Sequence, residues 1–355
     1  MRETAWPLFF GDISDRQLPV RLAVMSDEIS RKLASLLSRA SGAVIAVERV
    51  TPLSGGAASA TYAVDASRAG DVWPLILQCA AAGEVAPGGF PKADQAALQM
   101  LARQHGIPVA EVVVVLQPDD GLGDGFVMTR IEGEALAPRY LKGDGYTAAR
   151  AAMTGQCAAV LARLHRIPLA EVAHLQLPTG RVDEALARSF AHYRSIGVHS
   201  PVMDLAYAWL AERCGTAAPA SIVHGDFRSG NFIVDENGLA AVLDWELAHL
   251  GEGAEDLGWL CANAWRFGVW QKPVGGFGER EALYDAYAAA GGARVDRDRA
   301  HMWEVWGTLR WAMSCLQLGN DHVSGRVKSV ERAAIGRRVS EVELDLLHLI
   351  RFGDI

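Results

Sequence analysis

The sequence predicts an α+β fold in which a small sheet lobe precedes a larger, mainly helical lobe. Three observations carry this prediction. From Val44 to Arg130, short runs rich in β-branched residues alternate with Gly, Pro and Asp clusters, the pattern of strands and turns. Beyond about residue 145 the apolar spacing becomes helical. Within that helical half, two apolar runs spanning Ile222 to Leu243 flank Glu236-Asn237-Gly238, and Asn-Gly between such runs signals a hairpin.

Residues 1–25 show no clear period and read as an N-terminal extension. Ser26 can cap a first helix whose apolar face is Ile29, Leu33, Leu36 and Leu37. Strands are expected over 44–50, 58–64, 73–77, 112–116 and 126–128, with one helix near 92–105 between them. These elements make a first lobe of residues 26–131. The second lobe, 132–355, is expected to be helical near 146–165, 182–196 and 203–214, and in several segments after 254.

The chain has 355 residues, 50% apolar and 21% charged, enough to bury a full core, so disorder is excluded. Lys and Arg number 34 against 42 Asp and Glu, a net charge of −8 that argues against a nucleic-acid footprint or a basic membrane-binding face. Apolar runs such as Val112 to Leu116 are strand-sized, far below the roughly 18 residues of a membrane span. Glu3 and Pro7 interrupt the N-terminus, which does not read as a secretory signal. Five scattered cysteines without CxxC spacing suggest buried, reduced thiols and a cytoplasmic location. Small molecules are the expected partners.

The chemistry concentrates in Val223-His224-Gly225-Asp226-Phe227-Arg228-Ser229-Gly230-Asn231, followed beyond the hairpin by Asp244-Trp245-Glu246. A carboxylate, a carboxamide five residues on and a second carboxylate after the next strand pair can converge on one point. Phosphoryl transfer calls for this set, because its charge-rich transition state is stabilised by positioning and divalent metal while one carboxylate orients the attacking hydroxyl. The spacing matches the H-R-D-x-x-x-x-N loop and metal-binding Asp of protein kinases, with Gly225 in place of the Arg.

His-Gly-Asp-x-x-x-x-Asn followed by Leu-Asp-Trp-Glu resembles the aminoglycoside phosphotransferase and choline kinase superfamily. The likeness extends through Ala248-His249-Leu250-Gly251, Glu255-Asp256-Leu257-Gly258-Trp259, Ala264-Trp265-Arg266-Phe267-Gly268 and Gly307-Thr308-Leu309-Arg310-Trp311. These strings look like the branch related to kinase domains fused to acyl-CoA dehydrogenases, and the likeness covers roughly residues 44 to 350. It implies a bilobal protein-kinase-like fold, with a small antiparallel-sheet N-lobe, a larger mainly helical C-lobe and ATP between them. It further implies Asp226 as catalytic base and Asn231 and Asp244 as Mg²⁺ ligands. His224 would brace the backbone, and Asp256, near a helix start, would hold backbone N–H groups or the helix dipole.

Ser54, Gly55 and Gly56 join two predicted strands and match the family's phosphate-covering loop, a plain hairpin turn being the alternative. Phe126 to Gly133 resembles the connector between lobes, where backbone groups of Thr129 and Ile131 would meet adenine; a simple interlobe strand is the alternative. One position departs from the family. It places Lys or Arg where Gln78 stands, paired with a Glu on the following helix, and that helix offers Asp94 or Gln95. Gln78 brings no charge to phosphate. Arg228, two residues after Asp226, is the candidate to supply part of it, with a salt bridge as the alternative reading.

Trp259, Trp265, Trp270, Trp303, Trp306 and Trp311 read as a core stripe, whereas Trp245 is expected to face the cleft. His249, Arg266 and Arg310 would line the acceptor pocket or pair internally with Glu246, Glu255 or Asp256. Two functions are thereby weighed. One is an ATP- and Mg²⁺-dependent kinase acting on a small-molecule alcohol. The acceptor suggested by the nearest branch is a hydroxyacyl-CoA or related hydroxy acid, with aminoglycosides and amino alcohols as alternatives. The other is a pseudokinase, supported by Gln78 and opposed by the intact Asp226, Asn231 and Asp244.

Overall fold

The computed structural model describes residues 18–53, 59–80, 90–216 and 220–354. A first helix, α1 (Leu18–Ser41), leads into β1 (Ile45–Leu53), β2 (Ser59–Arg68) and β3 (Asp71–Ala80). Helix α2 (Lys92–Gln104), β4 (Val112–Val115) and β5 (Gly125–Thr129) complete an antiparallel sheet in the order β1-β2-β3-β5-β4. Ser26 lies inside α1 and does not cap it. The run from Leu18 to Met25 continues the helix, and Pro19 is tolerated because first-turn N–H groups have no intrahelical acceptor.

The sheet is covered on both sides, and its alternation decides what each side sees. Leu75, Leu77, Val64 and Val127 pack with Leu33, Leu36 and Leu37 of α1, all buried. Successive strand residues face opposite ways. Ile76 and Gln78, opposite Met128 and Phe126 in the β3–β5 ladder, therefore face the other side. Helix α2 lies there, with Gln99 Nε2 3.5 Å from Met128 Sδ and 2.8 Å from the carbonyl oxygen of Ala110.

The remainder holds α3 (Ala137–Lys142), α4 (Thr147–His165), α5 (Val182–Ile196), α6 (Pro201–Ala211), α7 (Ala254–Cys261), α8 (Arg280–Ala289), α9 (Arg297–Val323), α10 (Val330–Gly336) and α11 (Val339–Phe352). Between α6 and α7 run the short strands β6 (Ser221–Val223), β7 (Phe232–Asp235), β8 (Gly238–Val242) and β9 (His249–Gly251). The expected hairpin is narrower than 222–243: β7 pairs with β8, whereas β6 pairs with β9. At its turn Asp235 Oδ1 accepts from the N–H groups of Asn237 and Gly238 at 2.7 and 3.0 Å, the local bonding that makes Asp a turn former.

Met153, Cys157, Leu161 and Leu164 of α4 form one core with Phe232, Val242, Leu257 and Tyr287. A second core joins α5, α6, α9 and α11 and holds Trp303 and Trp306. Trp270 departs from the expected stripe, being 57% exposed. All five cysteines are buried and free, and no helix among the described residues is long and apolar enough to cross a membrane.

The chain passes from the sheet to the helical part through Arg130 to Gly133. Immediately afterwards Glu134 exchanges two backbone hydrogen bonds with Val234 of β7, at 2.8 and 3.0 Å. Gly133 adopts φ 142°, and a Cβ there would lie 2.6 Å from Ile233 Cγ2. Only glycine permits this approach. For the sheet lobe, Leu37→Ala should cost about 2–5 kcal/mol of stability, since its fully buried side chain packs α1 onto the sheet. Denaturant unfolding followed by circular dichroism measures this.

Candidate active site

The loop between β6 and β7 is fixed before any of its side chains act. Asp256, in the first turn of α7 and fully buried, accepts from the backbone N–H of His224 (2.8 Å) and Gly225 (3.0 Å). His165 Nε2, 3.1 Å away, meets the same carboxylate. Burial would raise the Asp256 pKa, but the His165 hydrogen bond and nearby charge hold it below the ordinary value. Gly225 has φ 77°, and a methyl there would collide with the carbonyl oxygen of Leu247. This close packing requires glycine at the position where protein kinases carry Arg.

His224 links the loop to the second carboxylate. Its Nδ1 accepts from the Asp226 N–H at 3.2 Å, so the proton sits on Nε2, 3.0 Å from the Leu243 carbonyl oxygen beside Asp244. Burial lowers its pKa, in keeping with this neutral tautomer. Trp245 does not face the cleft as expected. It is 4% exposed, its Nε1 donates to the Val242 carbonyl at 3.3 Å, and its ring lies 4.7 Å from that of His224.

Asp226 is 8% exposed and receives three donors. Asn231 Nδ2 donates to Oδ2 (2.6 Å), while Arg228 Nε (2.9 Å) and Trp259 Nε1 (2.8 Å) donate to Oδ1. An ionised carboxylate has about four acceptor positions, so room remains for one further hydroxyl. Arg228 forms an ion pair with Asp226 and stacks over Trp265 with its guanidinium carbon 4.4 Å from the ring centroid. The sequence reading placed Trp259 in the core and missed its indole N–H. Gly258 makes that placement possible by bringing α7 against α9, where a Cβ would lie 2.6 Å from the backbone of Trp303 and Glu304.

Asp244 sits at φ 63°, a left-handed conformation uncommon outside glycine and enriched at functional sites. Burial pushes its pKa up to about 7, and the carboxylates of Glu246 and Asp226 push the same way against Arg228 and Lys92. Negative charge is thus crowded around Asp244, and the Asn231 amide is bonded to the neighbouring Asp226; carboxylate and carboxamide oxygens are the donor chemistry a hard divalent cation takes. No cluster of three or more His, Cys, Asp or Glu suited to a metal occurs among the described residues. Mg²⁺ needs only one or two carboxylates alongside phosphate oxygens and water.

Gln78 is half-buried on the α2 face of the sheet. Asp94 turns elsewhere, its Oδ2 accepting from the Gln176 N–H at 2.8 Å. Gln95 is buried, with Nε2 on the Phe90 carbonyl (2.8 Å) and Oε1 3.0 Å from the ammonium of Lys92. That ammonium also lies 3.5 Å from Glu246, a contact the sequence reading missed. In the connector, the Thr129 N–H is engaged by the Glu111 carbonyl at 2.9 Å, and the Arg130 N–H by Pro74 at 3.1 Å. Among the described residues the N–H of Ile131 meets no acceptor. Ser54, Gly55 and Gly56 lie outside the described residues.

The remaining polar groups pair internally. Glu255 joins His249 (3.1 Å) to Arg310 (2.7 Å), and Arg310 also donates to the Gly225 carbonyl at 3.2 Å. Arg266, fully buried, reaches Glu304 at 3.4 Å, a partner the sequence reading did not name. A cavity of about 550 Å³ between α5 and α6 is lined by Leu186, Phe190 and Tyr207 and includes none of the residues around Asp226.

The family model for the phosphotransferase enzyme family matches residues 49–303, nearly three quarters of the chain. The chain belongs to this phosphotransferase family. Mouse acyl-CoA dehydrogenase family member 10 is 24% identical over 264 residues, 72% of this chain and 24% of the mouse protein. The chain thus spans about a quarter of that relative's length. A candidate aminoglycoside phosphotransferase from Ralstonia eutropha superposes with a TM-score of 0.65 at 20% identity, covering 88% of this chain and 95% of that one. Spectinomycin phosphotransferase, solved with ADP and spectinomycin, gives 0.58 at 15% identity, covering 88% and 93%. The architecture is therefore the bilobal kinase-like one of these phosphotransferases.

Two outcomes follow from the loop's supports. Gly225→Ala should destabilise the protein by about 1–3 kcal/mol through its positive φ alone, with the Leu247 collision adding to it, read as a lowered melting temperature. His249 is the second case: burial opposes its charge, but Glu255 and the Leu247 carbonyl raise its pKa from 6.5 to about 9. Its stabilising ion pair is complete below pH 6.5 and is lost as the pH rises through about 9. The stability difference between wild type and His249→Asn should shrink across that window.

Proposed function

We propose that this phosphotransferase moves the terminal phosphoryl group of ATP, with Mg²⁺, onto a hydroxyl of a small molecule. The observation that carries the reading is the Asp226 carboxylate, held by Asn231, Arg228 and Trp259 with acceptor capacity to spare. In this proposal residues 26–131 form the nucleotide lobe and residues 132–355 the catalytic and acceptor lobe, acting in the cytoplasm. Ser54, Gly55 and Gly56 cover the phosphates, Gln78 faces them, and the backbone of Thr129 and Ile131 meets adenine.

Asp226 orients the acceptor hydroxyl for in-line attack and takes its proton as the new O–P bond forms. The bond to the β–γ bridging oxygen breaks and ADP leaves. Asn231 and Asp244 would hold Mg²⁺, which would supply positive charge to neutralise the phosphate oxygens. Arg228 lies beside the base, where its guanidinium can meet the transferred group. The favoured acceptor is a hydroxyacyl-CoA or related hydroxy acid. Its support is the mouse relative named for acyl-CoA dehydrogenase.

Magnesium-dependent ATP consumption over hydroxyacyl-CoAs, aminoglycosides and amino alcohols tests the acceptor; activity only on the last two groups would overturn the acyl-CoA assignment. Asp226→Ala should lower turnover roughly 10²- to 10⁴-fold with ATP affinity nearly unchanged. Asp244→Ala should instead weaken nucleotide binding in the presence of Mg²⁺ and leave metal-free binding alone, as calorimetry with and without the ion would reveal.

A further inference from the structure

We infer that Lys92 supplies, from the first turn of α2, the positive charge for the nucleotide's phosphates that β3 lacks. The inference rests on the ATP-dependent reading of the site and names a phosphate-binding residue that reading did not include. In kinases of this architecture the cation comes from the third strand and is oriented by a Glu on the following helix. Here two neutral amides, Gln78 and Gln95, occupy the strand and the helix, and a Lys stands three residues before Gln95.

The geometry shows why the charge can move without being lost. Positions i and i+3 share a helix face, so Lys92 and Gln95 lie side by side. Gln95 is fixed by its own donation to the Phe90 carbonyl, which leaves Oε1 turned toward the Lys92 ammonium at 3.0 Å. It therefore orients the cation as a Glu would, but without neutralising it. Among the described residues the carboxylate paired with the Lys92 ammonium is that of Glu246, at a loose 3.5 Å and two residues beyond Asp244, while Asp124 takes the Lys92 backbone N–H at 3.2 Å. Lys92 is 5% exposed. A buried ammonium held by one neutral amide and one carboxylate at 3.5 Å keeps unused donor capacity and is stabilised further by a polyanion delivered beside it.

A purely structural alternative also fits the static contacts: Lys92 would simply tie α2 to the segment after Asp244. The two differ in what they do to phosphate recognition. Calorimetry on the full chain with ATP and with adenosine separates them, because adenosine carries the base and no phosphate. Lys92→Met should weaken ATP binding about 10- to 100-fold, the worth of a charged hydrogen bond, and change adenosine binding less than about twofold. Lys92→Arg should keep most of the ATP affinity. Gln78→Lys added to Lys92→Met should restore ATP affinity at least about tenfold, because the charge returns to the strand.

An unchanged ratio of ATP to adenosine affinity in Lys92→Met overturns the inference, even if the melting temperature of the nucleotide-free protein falls. If Lys92→Met does not fold, Lys92→Gln gives the same ratio with hydrogen bonding retained and charge removed. Wild type that binds neither ATP nor adenosine overturns the ATP reading itself, a result visible before any variant is made.

Discussion

The Asp256 carboxylate is the interaction on which the rest of the site depends. It lies in the first turn of α7, fully buried, and its two oxygens take the consecutive N–H groups of His224 and Gly225. Each lost bond would leave a buried donor unsatisfied. With those peptides fixed, His224 reaches Leu243, so one ring spaces the loop from the segment that presents Asp244. Arg310 holds the other side of the Gly225 peptide through its carbonyl. The loop is thus positioned by groups that need never touch a substrate.

Much of this was legible in the chain. The switch from alternation to helical spacing gave the order of the lobes, because strands covered on at least one face and amphipathic helices leave distinct periods. Helix 182–196 falls where its spacing places it, since Gly197 in a left-handed conformation ends it sharply. The internal bracing by His224 and Asp256 followed from their places beside the motif. Less legible were features set by long-range pairing. Ile222 looked like part of the hairpin because its apolar run precedes it, yet its partner is Leu250. Ser26 has the chemistry of a cap, but the helix-forming residues before it carry α1 back to Leu18.

Side-chain roles were hardest where one residue type serves two purposes. A Trp in a buried stripe gives no sequence sign that its N–H will meet a carboxylate, and Trp259 does so because Gly258 brings its helix close to α9. Lys92 is similar: a single Lys at the start of a helix reads as a solvated charge. Its burial is settled by the distant Glu246, which no local pattern reveals. Arg266 and Arg310 show the same dependence, being satisfied by carboxylates 38 and 55 residues away.

The junction between the lobes carries a mechanical consequence. Glu134 is clasped to Val234 by two backbone bonds, and β7 continues directly from Asn231. The chain just beyond Gly133 is thereby tied to the hairpin of β7 and β8. Upstream, the Arg130 N–H is tied to Pro74 of the sheet. The covalent link between these two anchors is the short stretch Ile131 to Gly133, but α2 and the segment after it add ties of their own: the Val242 N–H donates to the Pro108 carbonyl at 2.8 Å, and Asp94 accepts from the Gln176 N–H at 2.8 Å. A swing of one lobe against the other would have to break these ties as well as turn the torsions of those three residues, so α2 moves with the helical part unless its contacts are given up.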